Sequence, residues 1–169
     1  MGRDDEIQRE KETGVKGKRV SESSVEMAQV MLPEDANAAG NVHGGTIMKL
    51  IDNAGGVVAH RHARRNIVTA SIDQLAFHAP IYIGNVVFLK ASVNYVGRTS
   101  MEVGVRVEAE DLDTGKRVHT GSAYLSFVAL DENGKPTEVP PLIVETETER
   151  RRYEEGKKRH LERASRRSR

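Results

Sequence analysis

The sequence predicts an α+β domain in which a curved antiparallel sheet of about five strands wraps one long central helix. Three observations predict it. Residues Thr46 to Ala63 form a proline-free segment whose apolar and small residues fall on every face. The segments after it alternate apolar and polar residues with period two. Most of the connections between those segments are tight turns.

The helical segment opens at Gly44-Gly45, where other atoms can approach the backbone closely, and ends near Arg61, Arg64 and Arg65, cations suited to a helix C-terminus. A helix that is apolar all round is expected to be buried. One carboxylate, Asp52, sits in its middle. A buried carboxylate is costly unless it is paired, hydrogen-bonded or used chemically, so Asp52 is the first functional clue.

Before the helix, Val20 to Leu32 reads as a first strand that stops at Pro33. A loop of turn-formers (Asp35, Asn37, Gly40, Asn41) then delivers the chain to the helix. After it, Ile67 to Asp73 alternates and runs on towards His78-Ala79-Pro80. The next run sets Leu89, Ala91, Val93 and Tyr95 against Lys90, Ser92 and Asn94. Beyond the turn at Gly97-Arg98, Met101, Val103, Val105, Val107 and Ala109 alternate with Glu102, Gly104, Arg106, Glu108 and Glu110. Asp113-Thr114-Gly115-Lys116 marks a hairpin turn, and Arg117 to Leu130 is the last long strand. Short turns force antiparallel neighbours. A flat sheet cannot hide one helix on all sides, so the sheet must curl and a second subunit must cover the remainder.

The chain therefore divides into a charged, flexible segment 1–19, a domain 20–140 and a charged tail 141–169. Its net charge of +1 conceals an asymmetry: residues 145–169 carry 10 Lys+Arg against 6 Asp+Glu, whereas residues 21–144 carry 10 against 14. The tail has mixed signs and little aromatic content beyond Tyr153, which favours a partly ordered helical extension over a nucleic-acid arm. With an apolar face of only Tyr153 and Leu161, it is expected to bury little. No cysteine is present, which excludes disulfides, thiolate metal sites and thiol nucleophiles. No stretch has the length and apolarity of a membrane span, so the expectation is a soluble cytoplasmic protein without membrane or nucleic-acid partners.

The block Asp35 to Gly56, centred on Asn41-Val42-His43-Gly44-Gly45-Thr46, closely resembles the signature of the hotdog acyl-CoA thioesterases, the YciA-like and cytosolic acyl-CoA hydrolase group. Ile72 to Ile81, Val96 to Met101 and Ala123 to Asp131 match further strand motifs, so the resemblance covers roughly residues 20–140. It implies hydrolysis of acyl-CoA thioesters, no metal, and no cofactor beyond the CoA of the substrate. It also implies assembly from hotdog dimers, commonly three of them in a hexamer. In tandem-domain relatives the two functional positions are split between domains. This chain carries an Asn and an Asp at both matching places, Asn41 and Asp52, so a homodimer could build two equivalent sites. The YciA branch has Asp where Asn41 stands.

Thioester hydrolysis needs an activated water or a carboxylate nucleophile, and donors for the developing oxyanion. Asp52 is expected to supply the first, as base or nucleophile. Free N–H groups at Gly44, Gly45 and Thr46, at the positive end of the helix, are expected to supply the second, with Gly45 in the catalytic set. Asn41 is expected to polarise the carbonyl or hold water. His43 sits at the loop–helix junction and is expected to bond backbone or touch substrate rather than act as a base. Arg98, Thr99 and Ser100, at a turn, would suit CoA phosphates or the pantetheine. His60 and His62 stand two apart, face different directions on a helix and form a poor metal pair.

Two rival readings share the fold. Hotdog hydratases resemble Asp-x-Asn-Pro-x-His-x-Asp; Asp35-Ala36-Asn37 matches the start, but Ala38 replaces the proline and Gly40 the histidine. A non-catalytic acyl-CoA-binding hotdog protein with a DNA-binding segment would need more than the short, apolar-poor N-terminal stretch.

Overall fold

The computed structural model describes residues 15–167. The sequence-predicted mobility of residues 1–14 lies outside the described residues. Among the described residues, β1 (Lys18–Arg19) is followed by a 3-10 turn and β2 (Val25–Val30). A second 3-10 turn at Pro33–Asp35 leads to helix α1 (Gly44–Ala63). Then come β3 (Asn66–Phe77), β4 (Val86–Val96), β5 (Ser100–Glu110), β6 (Arg117–Leu130), β7 (Leu142–Ile143) and helix α2 (Glu147–Arg167). Five strands form one antiparallel sheet in the order β2-β4-β5-β6-β3, and β1 pairs in parallel with β7. This is the helix-in-a-sheet arrangement the alternation predicts.

Alternation decides which face of the sheet receives α1. Val87, Leu89, Ala91 and Val93 on β4, Val103, Val105 and Val107 on β5, and Leu125 and Phe127 on β6 are buried with Ile47, Ile51, Ala54 and Val58 of α1. Gly55 lets the helix come this close: a Cβ there would lie 3.0 Å from the Phe127 ring. The helix itself corrects the all-round burial expected of it. Only one stripe is buried, and Met48 (40 % exposed) and Val57 (38 %) face outward. The physical reason is that sequence periodicity does not separate a helix buried on all sides from one with an apolar face left outside its own sheet.

One strand residue is reassigned. A bulge at Asn94 shifts the pairing so that Val93 opposes Val103 but Tyr95 opposes Glu102. Tyr95 therefore joins the outer face, against Tyr153 and His160 of α2, instead of the core.

The tail also buries more than its sequence promised. Helix α2 lies across the outer face of the sheet, held by polar contacts rather than an apolar stripe. Arg159 reaches the fully buried Glu102 carboxylate through Nη2 (2.6 Å) and Nε (3.0 Å), and its guanidinium also lies over the Tyr124 ring. Arg163 pairs with Asp73 of β3. Gly156 permits the approach, because a Cβ there would meet Tyr95 at 2.9 Å and Glu102 at 3.0 Å. The strands carry acidic and amide groups on that face, so a cationic helix docks where a greasy one would not.

The start of the described chain is ordered for a similar reason. Lys18 donates to the carbonyls of Arg61 (3.0 Å) and His62 (2.8 Å), so it caps the C-terminus of α1. Arg64 closes that end in the left-handed region, with φ 51°. Arg61 stands in the last turn as expected, and Lys18, far away in sequence, adds a second cation there. Beside it His62 is wholly buried, its Nε2 2.9 Å from the Pro140 carbonyl. A carbonyl only accepts, so the proton sits on Nε2, and the buried Nδ1 has no partner among the described residues.

Burial holds the His62 pKa below its ordinary 6.5, against the smaller opposing effect of the Pro140 bond. Below about 6.5 the unfolded chain binds a proton that the folded chain refuses. His62 therefore stabilises fully above that pH and progressively less as pH falls towards its folded value. His62→Gln is expected to flatten the loss of Tm between pH 7.5 and 5 in thermal melts. An unchanged slope would contradict the burial of a neutral imidazole.

Candidate active site

Two places carry the polar groups. The first is the N-terminal end of α1, where a cavity of about 410 Å³ is lined by Asn37, Asn41, Val42, Gly44, Ile47, Phe77 and His78, among others. Its walls come from the loop before the helix, the helix start and the end of β3. The loop is folded by Asn37, whose side-chain Oδ1 accepts from the backbone N–H of Ala39 (2.9 Å) and Asn41 (3.2 Å). Two donors on that oxygen fix which way the amide points. Its NH2 has no protein acceptor among the described residues and borders the cavity. Asn41 shares the cavity wall, and its backbone carbonyl accepts from Asn37 N (2.7 Å).

The helix start is less open than expected. His43 is the N-cap, and its Nδ1 accepts from the Gly45 N–H at 2.9 Å. Thr46 N–H donates to the His43 carbonyl at 2.9 Å. Of the three amides expected to be free, Gly45 and Thr46 are occupied, and Gly44 N–H alone lacks a protein acceptor among the described residues. The correction follows from His43: its ring folds back over the first turn, which a sequence reading of Gly-Gly does not reveal.

The second place is the middle of α1. Asp52 is half-buried rather than buried, and its Oδ1 accepts a 2.8 Å hydrogen bond from Thr69 Oγ1 on β3. It lies eight residues past Gly44, two helical turns or ~12 Å along the axis. One protomer therefore does not bring Asp52 and the N-terminal cavity to a single small group. Nothing in the sequence marks Thr69, which stands inside an alternating run. Asn37 escaped because it read as a turn-former, which it also is.

Arg98, Thr99 and Ser100 are not brought to this site within the chain. They form the β4–β5 turn at the sheet end where β3 begins and α1 finishes, whereas Phe77 and the cavity lie towards the other end: Ser100 is level with Val128 of β6 and Phe77 with Gly121, ~23 Å apart along the strands. There the Thr99 carbonyl accepts from Ala129 N (3.0 Å) and Arg98 lies 4.0 Å from Glu138. The described residues contain no cluster of His, Asp or Glu able to hold a metal, and no helix long and apolar enough to cross a membrane.

This architecture, a long helix packed along one stripe against a five-stranded antiparallel sheet with a cavity at the helix start, defines the hotdog class. The family model described as Thioesterase superfamily matches residues 39–116. The chain is 43 % identical to protein VdlD of Helicobacter pylori over 79 % of its own length and 76 % of that protein's. It is 40 % identical to the human cytosolic acyl coenzyme A thioester hydrolase over 85 % of its own length, but spans only 38 % of that larger protein. Among solved structures, an apo-hexameric acyl-CoA thioesterase superposes with a TM-score of 0.86 at 38 % identity, covering 90 % of this chain and 97 % of that one. An acyl-CoA hydrolase from Staphylococcus aureus, in complex with butyryl coenzyme A, coenzyme A and coenzyme A disulfide, gives 0.83 at 37 % identity, over 89 % of this chain and 92 % of that one. This chain belongs to the thioesterase superfamily.

The capping role of His43 has a measurable consequence. Replacing His43 with Ala removes the N-cap acceptor and is expected to lower stability by about 1 kcal/mol in denaturant melts, the usual cost of losing a cap. A variant as stable as the parent would show that the bond to Gly45 contributes nothing.

Proposed function

We propose that this chain hydrolyses acyl-CoA thioesters to a free acid and CoA, at sites each shared by two copies. The observation that carries the reading is the separation of two half-sites in one protomer. Donors without acceptors, Gly44 N–H and the Asn37 amide, border the N-terminal cavity. The carboxylate stands ~12 Å further along the helix. A two-fold partner with its helix beside this one would set Asp52 of the partner subunit against the cavity of the first. The outward faces fit such pairing: Met48 and Val57 on α1, and Val68, Ile72 and Phe77 on the edge strand β3, are exposed apolar residues.

In this reading the thioester carbonyl accepts from Gly44 N–H and the Asn37 amide as its oxygen becomes negative. Asp52 supplies the carboxylate, as base towards water or as the attacking group, and Thr69 holds its Oδ1 in place. On the base route water adds to the carbonyl and the thiolate leaves as the acid forms; on the nucleophilic route thiolate departure leaves an acyl–Asp52 anhydride, which water then hydrolyses to the acid and free Asp52. The Staphylococcus aureus hydrolase has been solved with an aspartate, an asparagine and a threonine each changed to alanine. That asparagine stands fifteen residues before the aspartate, and the threonine seventeen after it. Asn37, Asp52 and Thr69 have the same spacing. The spacing and the unoccupied amide support Asn37, rather than Asn41, as the group that polarises the carbonyl or holds water, and leave Asn41 to hold the loop. His43 and Gly45 shape the helix start. Arg98, Thr99 and Ser100 would meet the CoA moiety only from another subunit.

The hexameric relatives support assembly into a trimer of such dimers, and the name of the mammalian relatives supports a cytosolic location. A hydratase or a non-catalytic binder would release no free CoA. Expected is release of CoA from a panel of acyl-CoAs, with no hydration of crotonyl-CoA. Asp52→Ala and Asn37→Ala should each lower turnover by at least ~100-fold without changing the oligomer. Asn41→Ala should cost much less. The reverse order of the two Asn variants would return the role to Asn41, and full activity in Asp52→Ala would remove the proposed mechanism.

A further inference from the structure

The outer face of the sheet carries a second cavity, beneath the start of α2 and on the opposite side of the sheet from α1. It measures about 200 Å³, and it adjoins a shallower hollow that shares Lys90, Ser92, Arg106 and Arg152 with it. Its floor is Gly104, against which the Asn94 amide packs so closely that a Cβ there would stand 2.6 Å from Asn94 Nδ2. Around that floor stand the cations of Lys90, Arg106, Arg151 and Arg152, with the hydroxyls of Ser92 and Ser122 between them.

The charges do not cancel. Lys90 (2.9 Å) and Arg106 (2.7 Å) share a single carboxylate, Glu108, and Arg117 lies 3.6 Å from the same group. Hydrogen bonds from Arg106 and then Lys90 hold Glu108 at about 2, so it remains an anion that fixes both cations in place. Arg151 pairs with Glu155 at 3.0 Å on its own helix. Arg152 has no ion-pair partner among the described residues. Four cations thus line the cavity against Glu155, with Glu26 in the adjoining hollow and Glu108 paired to Lys90 and Arg106. The surplus is positive, in a concave site where field lines concentrate. Guanidinium forks flanked by hydroxyl donors suit the oxygens of a phosphate. The cavity itself has room for a small anion, and the adjoining hollow of about 410 Å³ leaves space for the rest of a larger ligand.

We propose that this groove between α2 and the outer sheet face is a binding site for a phosphate or diphosphate group, separate from the hydrolytic site. The group could belong to free inorganic phosphates or to the nucleotide end of a CoA molecule, since both present the same oxygens.

The test is calorimetric titration of the full chain with inorganic pyrophosphate at low ionic strength, followed by competition with adenosine 3′,5′-bisphosphate. Saturable binding is expected, weakened at least tenfold in the Arg151→Ala/Arg152→Ala double variant. Arg65→Glu, which makes the same change of net charge away from the groove, should leave binding within about twofold. Competition by the nucleotide assigns the site to the end of a CoA-like ligand, and pyrophosphate binding without competition assigns it to free inorganic anions. Absence of saturable binding, or equal losses in the double variant and the Arg65 control, would overturn the proposal.

Discussion

The hydrogen bond from Thr69 Oγ1 to Asp52 Oδ1 joins the central helix to the edge strand of the sheet, and the organisation of this molecule follows from where that bond sits. Helix α1 buries one stripe in the sheet and leaves the opposite stripe outside. Asp52 lies at the boundary between them, with β3 alongside. A carboxylate in that position is neither solvated freely nor enclosed, and a neighbouring hydroxyl fixes its direction. The apolar residues that surround the boundary, Met48 and Val57 on the helix and Val68 and Ile72 on the strand, are those a second copy would cover.

Most of the fold was legible because period-two alternation is strong in β4, β5 and β6 and the turns between them are short. What escaped depended on contacts between distant segments. Tyr95 changed faces because Asn94 forms a bulge, and nothing local in Val93-Asn94-Tyr95 announces one. The sequence of helix α2 has no apolar stripe to announce its docking, because Arg159 and Glu102 dock it through charge. Lys18 capping α1 is a third case, since its partners lie 43 and 44 residues away.

The candidate site divides in the same way. Asp52 stood out as a lone carboxylate among apolar residues. The amides of Gly45 and Thr46 looked free only because the fold-back of His43 and the first helical turn are invisible in a linear reading. Asn37 carried a signal that was present but weak: an Asn two and four residues before backbone donors folds a loop with its oxygen and leaves its NH2 free. The two sheet faces then separate two kinds of chemistry. The inner side holds the helix and the carboxylate. The outer side holds the charged helix and a cationic groove, and Arg163 to Asp73 links that helix back to β3.

The shared nature of the hydrolytic site is the central claim, and subunit mixing tests it most directly. Asn37→Ala and Asp52→Ala proteins, each inactive alone, are unfolded together, refolded, and assayed for CoA release after mixed assemblies have been verified by mass. A two-fold dimer of one variant with the other rebuilds one of its two sites, so activity should return to about a quarter of the parent's. No recovery in verified mixed assemblies would contradict a site built from two copies.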